Sequence, residues 1–146
     1  MPQNNRVAII SAPLGAAFAF VSDLSNLPHW VYGMHSIRPL SDLRIGRGAE
    51  YEASVRKLGV SASARITITD YEPNSILAFE SKSQIITETL WRFRQLNDNS
   101  TEINTTVNRR FPWGPVGVAF GAVISPVLAM AEVKSEQALR QKLELA

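Results

Sequence analysis

Residues Phe111–Ala131 read FPWGPVGVAFGAVISPVLAMA and contain no charged side chain, whereas Glu132–Ala146, EVKSEQALRQKLELA, has the pattern of an amphipathic helix. The uncharged run is close to the ~20 apolar residues that a membrane span requires. Three prolines and three glycines interrupt it, and no basic cluster marks a cytoplasmic side. Because a spanning helix tolerates such breakers only with local repair, a buried or cavity-lining segment is favoured. The rest of the chain has to cover this segment.

Helical spacing of apolar residues begins at about Val127. Pro126 removes one helical hydrogen bond, so the helix should start or kink there. Phe111–Pro126 then forms a mobile, apolar rim that governs entry to the interior. Glu136 and Arg140 are spaced to pair on the outer face of the helix. The opposite face of the helix carries small residues, which allow it to pack closely against a sheet: Ala131, Ser135 and Ala138.

Composition excludes several classes of function. The 146 residues fit one domain, 1–146, and the net charge of +2 comes from scattered basic residues. Arg92, Arg94, Arg109 and Arg110 alternate along strands, which divides them between faces, so no nucleic-acid partner is expected. Without cysteine there is no disulfide, thiolate nucleophile or cysteine-based metal site. The N-terminus lacks a signal-peptide pattern, which favours a cytoplasmic protein.

The chain begins with a strand at Asn5–Ser11 and two short helices. Pro13 suits a first helical turn, and Ser11 and Asp23 are interpreted as helix caps. The apolar period then changes from helical to alternating, which indicates an antiparallel meander with one polar and one apolar face. Turn signals stand at Leu58-Gly59 and Asn97–Ser100. The six further predicted strands are Met34–Leu40, Glu50–Arg56, Ser61–Thr69, Ile76–Ser83, Ile85–Leu96 and Thr101–Phe111.

Several motifs, taken in order, resemble a known family over nearly the whole chain. They are Ser11-Ala12-Pro13 with Phe18–Phe20, Val21-Ser22-Asp23-Leu24-Ser25-Asn26-Leu27-Pro28-His29-Trp30, Ile66-Thr67-Ile68-Thr69-Asp70-Tyr71-Glu72-Pro73, Leu77-Ala78-Phe79-Glu80 and Phe111-Pro112-Trp113-Gly114. Together they resemble the polyketide cyclase/dehydrase and lipid-transport group of the START/Bet v 1-like (SRPBCC) superfamily. This resemblance implies an α+β helix-grip fold. In that fold a curved seven-stranded antiparallel sheet wraps a long C-terminal helix, with two short helices after strand 1 and a cavity between sheet and helix.

The apolar sheet face and the start of the last segment supply the candidate lining of that cavity. Threonines on the same strand faces add polar groups, since ligand pockets are mainly apolar with a few placed polar atoms. For any one aromatic residue, simple core filling is the alternative. The candidate ligand-binding residues are Phe20, Trp30, Tyr51, Ile66, Phe79, Thr89, Trp91, Phe93, Thr105, Val107, Arg109, Phe111, Phe120, Val123 and Val127, with Thr87 beside them.

Arg109 stands on an otherwise apolar face and needs a partner. It could hold a carboxylate, phosphate or enolate of a ligand, or pair with Glu80 or Glu88. The alternative, which the sequence favours, is that it reaches water from the strand end. His29, Tyr51 and Arg109 are weak candidates for catalysis. His29 and His35 lack a metal-binding spacing, so no metal and no cofactor are expected.

Three functions remain open at this stage. The favoured one is binding or transport of a small hydrophobic or amphipathic ligand, such as a lipid, polyketide or aromatic molecule. The second is a polyketide cyclase/dehydratase-type enzyme working in the same cavity. The third is a module that docks on a protein or a membrane surface without turnover, through the sheet or the Trp113 region; an exposed apolar patch at Pro112–Val118 would favour it.

Overall fold

The computed structural model describes residues 3–57, 60–83, 85–110 and 114–144. Within these ranges, the side chains at 3–4, 57, 60–61 and 115–129 are not described. The predicted turn at Leu58-Gly59 therefore lies outside the described residues.

Seven strands, two α-helices and one 3₁₀ helix make up the described chain. The strands are β1 (Gln3–Ile10), β2 (Met34–Pro39), β3 (Glu50–Lys57), β4 (Val60–Glu72), β5 (Ile76–Lys82), β6 (Ile86–Asn97) and β7 (Ser100–Arg110). The helices are α1 (Leu14–Ser22), the 3₁₀ helix Leu24–His29, and α2 (Pro115–Glu144). The predicted order of elements is confirmed.

All seven strands form one antiparallel sheet in the order β1-β7-β6-β5-β4-β3-β2. The meander from β2 to β7 pairs each strand with its sequence neighbour, whereas β1 returns to pair with β7. This arrangement leaves β1 and β2 at the two edges. The order places β1 beside β7, the strand that directly precedes α2 in the chain.

The apolar core lies where α1 and the 3₁₀ helix cover the inner face of the sheet. Leu24 and Leu77 are fully buried there. The Phe18 ring stacks edge-on against Phe93, with centroids 4.9 Å apart, and against Tyr71 at 5.6 Å. Edge-to-face contacts of this kind add to the free energy gained from burial. One end of the sheet is therefore solidly filled.

The two predicted helix caps have different outcomes. Asp23 accepts hydrogen bonds from the amide of Ser25 at 3.1 Å and from its hydroxyl at 2.6 Å, so it caps the 3₁₀ helix as predicted. Ser11 is not the cap of α1, because Pro13 holds that position without a side-chain bond. The amide of Ser11 instead donates to Glu144 Oε2 at 2.9 Å, which ties the end of β1 to the end of α2.

Helix α2 starts earlier than the sequence predicts. It begins at Pro115, directly after Gly114 in the left-handed region at φ 62°. Proline fits the first helical position because its missing N–H would have no partner inside the helix. The predicted helix start at Pro126 is therefore wrong, and residues 115–126, expected as a separate rim, belong to the same helix. None of the described helices has the length and hydropathy of a membrane span.

Candidate functional site

A cavity of about 360 Å³ lies between the inner face of the sheet and the second half of α2. Its described apolar lining is Ala8, Val21, Leu27, Trp30, Val31, Met34, Val55, Ile66, Phe79, Trp91, Ile103, Ala131 and Leu139. Its described polar lining is Arg6, Tyr32, Ser81, Thr87, Thr89, Thr105, Arg109, Glu132, Ser135 and Glu136. The helix supplies both of the carboxylates in this set.

Strand register places the polar groups of the sheet side by side. Arg109 pairs with Thr87, and Thr87 pairs with Ser81, so three adjacent strands contribute one polar row. A second row joins Arg6 to Thr105. Because residues directly opposite in an antiparallel sheet share a face, every member of a row points to the same side. These rows form the polar wall of the cavity.

Arg109 is paired with a carboxylate from the helix. One guanidinium nitrogen lies 2.7 Å from Glu132 Oε1, and the two side chains are only 15% and 18% exposed. Arg109 does pair with a carboxylate, as one of the predicted alternatives required, but the examples named, Glu80 and Glu88, are wrong, and so is the expectation that the side chain reaches water. The true partner lies on α2, and burial of a charged pair is tolerated because each ion satisfies the other.

A second ion pair lies one helical turn further along α2. Arg6 on β1 donates to Glu136 Oε1 at 2.9 Å. The predicted Glu136–Arg140 pair is present, at 3.6 Å, but Glu136 is not on an outer face, because it lines the cavity. Two neighbouring strands, β1 and β7, are thus bound to α2 through Glu136 and Glu132.

Aromatic side chains form an apolar wall that adjoins the polar wall, because Trp91 pairs with Thr105 and Phe79 pairs with Thr89 in the sheet. The rings of Trp30 and Trp91 lie 5.5 Å apart at 44°, and Phe79 meets Trp91 edge-on at 5.1 Å. Trp30 is only 8% exposed, and its Nε1 is the one buried side-chain polar atom of the described chain that has no hydrogen-bond partner. An unpaired buried donor costs free energy, which a suitable acceptor would recover.

Ser135 joins α2 to the chain segment between the 3₁₀ helix and β2. Its Oγ accepts from the backbone amide of Tyr32 at 2.8 Å. The ammonium of Lys134 lies 5.2 Å from the centre of the Tyr32 ring, within cation–π range. The small face predicted for this helix therefore borders the cavity and binds a loop.

About half of the predicted ligand-binding residues line the cavity. These are Trp30, Ile66, Phe79, Thr89, Trp91, Thr105 and Arg109, with Thr87 beside them. Phe93 and Val107 are buried on the inner face, and Phe20 packs against the core, but none of these three is in the described lining. Their aromatic and aliphatic side chains fill core space, which was the alternative interpretation.

Tyr51 is buried outside the cavity lining. Its hydroxyl donates to the backbone carbonyl of Arg44. Desolvation by burial raises the pKa of the Tyr51 phenol, the nearby Asp23 carboxylate raises it further, and Arg44 lowers it by less. These contacts hold the loop between β2 and β3.

His29 and His35 are both exposed and are not in the described lining. His29 is the last residue of the 3₁₀ helix and its side chain is exposed to solvent, whereas the next residue, Trp30, is buried. The described residues also contain no cluster of carboxylates and histidines suited to a metal ion. The geometry therefore gives neither histidine a place at the cavity.

The remaining predicted residues belong to parts of the chain that the structure does not describe. Phe111 lies outside the described residues. Phe120, Val123 and Val127 lie on the backbone of α2, but their side chains are not described. Of the patch at Pro112–Val118, Pro112 and Trp113 lie outside the described residues and the side chains of 115–118 are not described, so the docking prediction is untested.

Six polar lining residues were not predicted: Arg6, Tyr32, Ser81, Glu132, Ser135 and Glu136. For Arg6, the available signal was its alternation with Ala8 and Ile10, which places it on the inner face of β1. For Glu132 and Glu136, the signal was their spacing of one turn on the same face as Ser135. A polar side chain on an inward face indicates a cavity instead of a solid core.

The seven-stranded sheet, the long C-terminal helix and the cavity between them define a helix-grip protein. Residues 1–144 match the family model described as polyketide cyclase/dehydrase and lipid transport, and the chain belongs to that family. The family that the motifs resemble is thus confirmed. No curated protein sequence matches the chain significantly.

Solved structures of low sequence identity share this fold. The ZhuI aromatase/cyclase from Streptomyces sp. R1128 superposes with a TM-score of 0.83 at 13% identity, covering 98% of this chain and 93% of its own. A START superfamily protein from Mycobacterium smegmatis gives 0.78 at 14% identity, with coverages of 98% and 97%. The protein TTHA0849 from Thermus thermophilus gives 0.76 at 15%, with 99% and 98%. These likenesses establish the fold alone.

Proposed function

We propose that the protein binds a small hydrophobic or amphipathic molecule in the cavity between the sheet and α2. The observation that carries this proposal is the cavity itself, which is lined by aromatic rings with hydroxyls and ion pairs beside them. Its volume of about 360 Å³ falls within the range of ~300–1,000 Å³ typical of ligand pockets. An apolar ligand would cover the rings, and its polar end would meet the polar wall.

The proposal is tested by extracting the protein after mild purification and by titrating it with aliphatic and aromatic probes. Trp30 and Trp91 line the cavity, so tryptophan fluorescence reports occupancy directly. We expect either a co-purified organic molecule in native mass spectra or saturable quenching by the probes. Protein recovered empty, with no response to any probe, contradicts the proposal.

A matched pair of helix variants locates the binding site. Ala131→Phe adds a ring on the cavity side of α2, whereas Val133→Phe adds a ring at a position that is 40% exposed. We expect the first variant to abolish or strongly weaken binding and the second to leave it unchanged. Equal effects of both variants would place the ligand elsewhere.

A cyclase/dehydratase-type activity in the same cavity is the second candidate. It is supported by the Arg109–Glu132 pair, because a carboxylate that can accept a proton and a guanidinium that can stabilise an enolate oxygen face one ligand space. The test incubates the protein with a poly-β-keto thioester and follows loss of water by mass spectrometry. We expect Glu132→Gln to abolish the product, and an inactive unmodified protein would exclude this candidate.

A further inference from the structure

The charged groups of the cavity occur in two matched pairs. Among the described lining residues, the cations are Arg6 and Arg109 and the anions are Glu132 and Glu136. Each arginine lies against one glutamate, at 2.9 Å for Arg6 with Glu136 and at 2.7 Å for Arg109 with Glu132. The described lining charges therefore sum to zero.

We propose that this cavity selects a neutral ligand with a carbonyl, ester or hydroxyl oxygen over the corresponding carboxylic acid. The inference rests on the proposed ligand-binding function and names the class of ligand. An entering carboxylate finds each guanidinium already paired with a glutamate. It must either stay unpaired beside two anions or displace Glu132, which is only 18% exposed, from Arg109. The first outcome leaves the charge of the ligand without a counterion in a mostly buried setting, and the second breaks the charge-assisted bond between Glu132 and Arg109. Both are unfavourable.

A neutral oxygen avoids this cost and finds hydrogen-bond partners. The hydroxyls of Ser81, Thr87, Thr89 and Thr105 line the cavity and can both donate and accept. On the aromatic wall, Trp30 Nε1 is a buried donor that lacks a partner within the described chain. A carbonyl or hydroxyl oxygen that reaches it recovers the cost of leaving that donor unpaired. The two glutamates thus serve as internal counterions that set the selectivity.

The experiment compares three probes of equal chain length at neutral pH: decanol, methyl decanoate and decanoate, which is ionised under these conditions. Affinities are measured by tryptophan fluorescence and checked by calorimetry. We expect the two neutral probes to bind on the order of tenfold more tightly than decanoate, the ratio expected from one unfavourable charge contact. Equal or tighter binding of decanoate overturns the inference and leaves the proposed function standing. No binding of any probe contradicts the proposed function itself.

Glu132→Gln provides the decisive variant because it leaves Arg109 without its carboxylate at almost unchanged side-chain volume. We expect its affinity for decanoate to rise by about tenfold, with decanol changing by less than about threefold. Glu52→Gln is the control, since it removes the same charge from an exposed ion pair with Arg38 outside the cavity. Should Glu132→Gln fail to fold, Glu136→Gln frees Arg6 in the same way. A Glu132→Gln or Glu136→Gln protein that folds and keeps the original selectivity also overturns the inference.

Discussion

The hydroxyl of Ser135 accepts a 2.8 Å hydrogen bond from the amide of Tyr32, which joins the last helix to a loop 103 residues earlier in the chain. Both residues line the cavity, so this bond closes one side of it. The contact depends on a small polar residue at the helix surface, because a larger side chain would hold the loop away. Helix α2 is therefore held against the rest of the fold by polar contacts as well as by apolar packing.

Removal of that acceptor should loosen the loop. We expect Ser135→Ala to lower the free energy of unfolding by about 1 kcal/mol through loss of the hydrogen bond. The higher helix propensity of alanine should offset a few tenths of a kcal/mol of this loss. Urea unfolding measures the change. Ser63→Ala, which removes an exposed hydroxyl from β4, is the control and should change stability little. Equal effects of the two substitutions would show that the Tyr32–Ser135 bond contributes nothing.

The Arg109–Glu132 pair should be strongly coupled. A double-mutant cycle with Arg109→Met and Glu132→Leu should give a coupling free energy of about 2 kcal/mol, because each single change removes a charge-assisted bond from a mostly buried ion. The same changes at Arg38 and Glu52, which are 67% and 42% exposed, should give less than about 1 kcal/mol. A coupling at Arg109–Glu132 no larger than at the exposed pair would contradict this expectation.

Tyr51 should make the fold sensitive to alkali. Burial and Asp23 raise the pKa of its phenol, so the unfolded chain loses this proton near pH ~10 while the folded chain still holds it. The contribution of Tyr51 to stability is thus complete below about pH 10 and is lost as the pH rises through the folded pKa. Unfolding free energies between about pH 8 and pH 11 should fall less steeply for Tyr51→Phe. The substitution also lowers stability at neutral pH, because the bond to the Arg44 carbonyl is lost. The test therefore compares the slopes of unfolding free energy against pH for the two proteins, and equal slopes would exclude this role of Tyr51.

Trp30 should report the polar end of a bound ligand. The chain has three tryptophans, and the indole N–H signal that is lost in Trp30→Phe identifies this residue in a proton–nitrogen NMR spectrum. We expect decanol to shift that signal downfield, as a new hydrogen bond does, since Nε1 has no partner in the described chain. Decane fills the same space without an acceptor and serves as the control. A shift of equal size and direction with decane would show that no hydrogen bond forms.

The strand order and most strand limits could be predicted because alternation reports which face of a strand is buried. The period of two is clear in β6, where Thr89, Trp91 and Phe93 are buried and Arg92 and Arg94 are exposed. The motifs added the family resemblance, which implies a sheet wrapped around the C-terminal helix with a cavity between them. Local pattern and family resemblance thus sufficed for the fold.

The charged groups that the helix contributes to the site could not be predicted in the same way. Helical periodicity predicts an outer face for Glu136 because it associates charge with solvent, and that association fails where a helix borders a cavity. The partner of Arg109 lies on another element, and no local pattern encodes a tertiary ion pair. The start of α2 was misplaced because Pro126 was interpreted as a breaker, whereas Pro115 takes the first helical position.

The position of β1 at the sheet edge has a consequence for synthesis of the protein. Its residues 3–10 pair with residues 101–108 of β7, its only neighbour in the sheet, and the Ser11 amide is bound by Glu144. At ~5–20 residues per second, the ribosome needs on the order of 5–20 s to make the intervening chain. During that time β1 exposes a free strand edge with Val7 and Ile9 beside it, a template for wrong pairing. A nascent chain that ends before β7 therefore carries β1 without its only partner strand among the described strands.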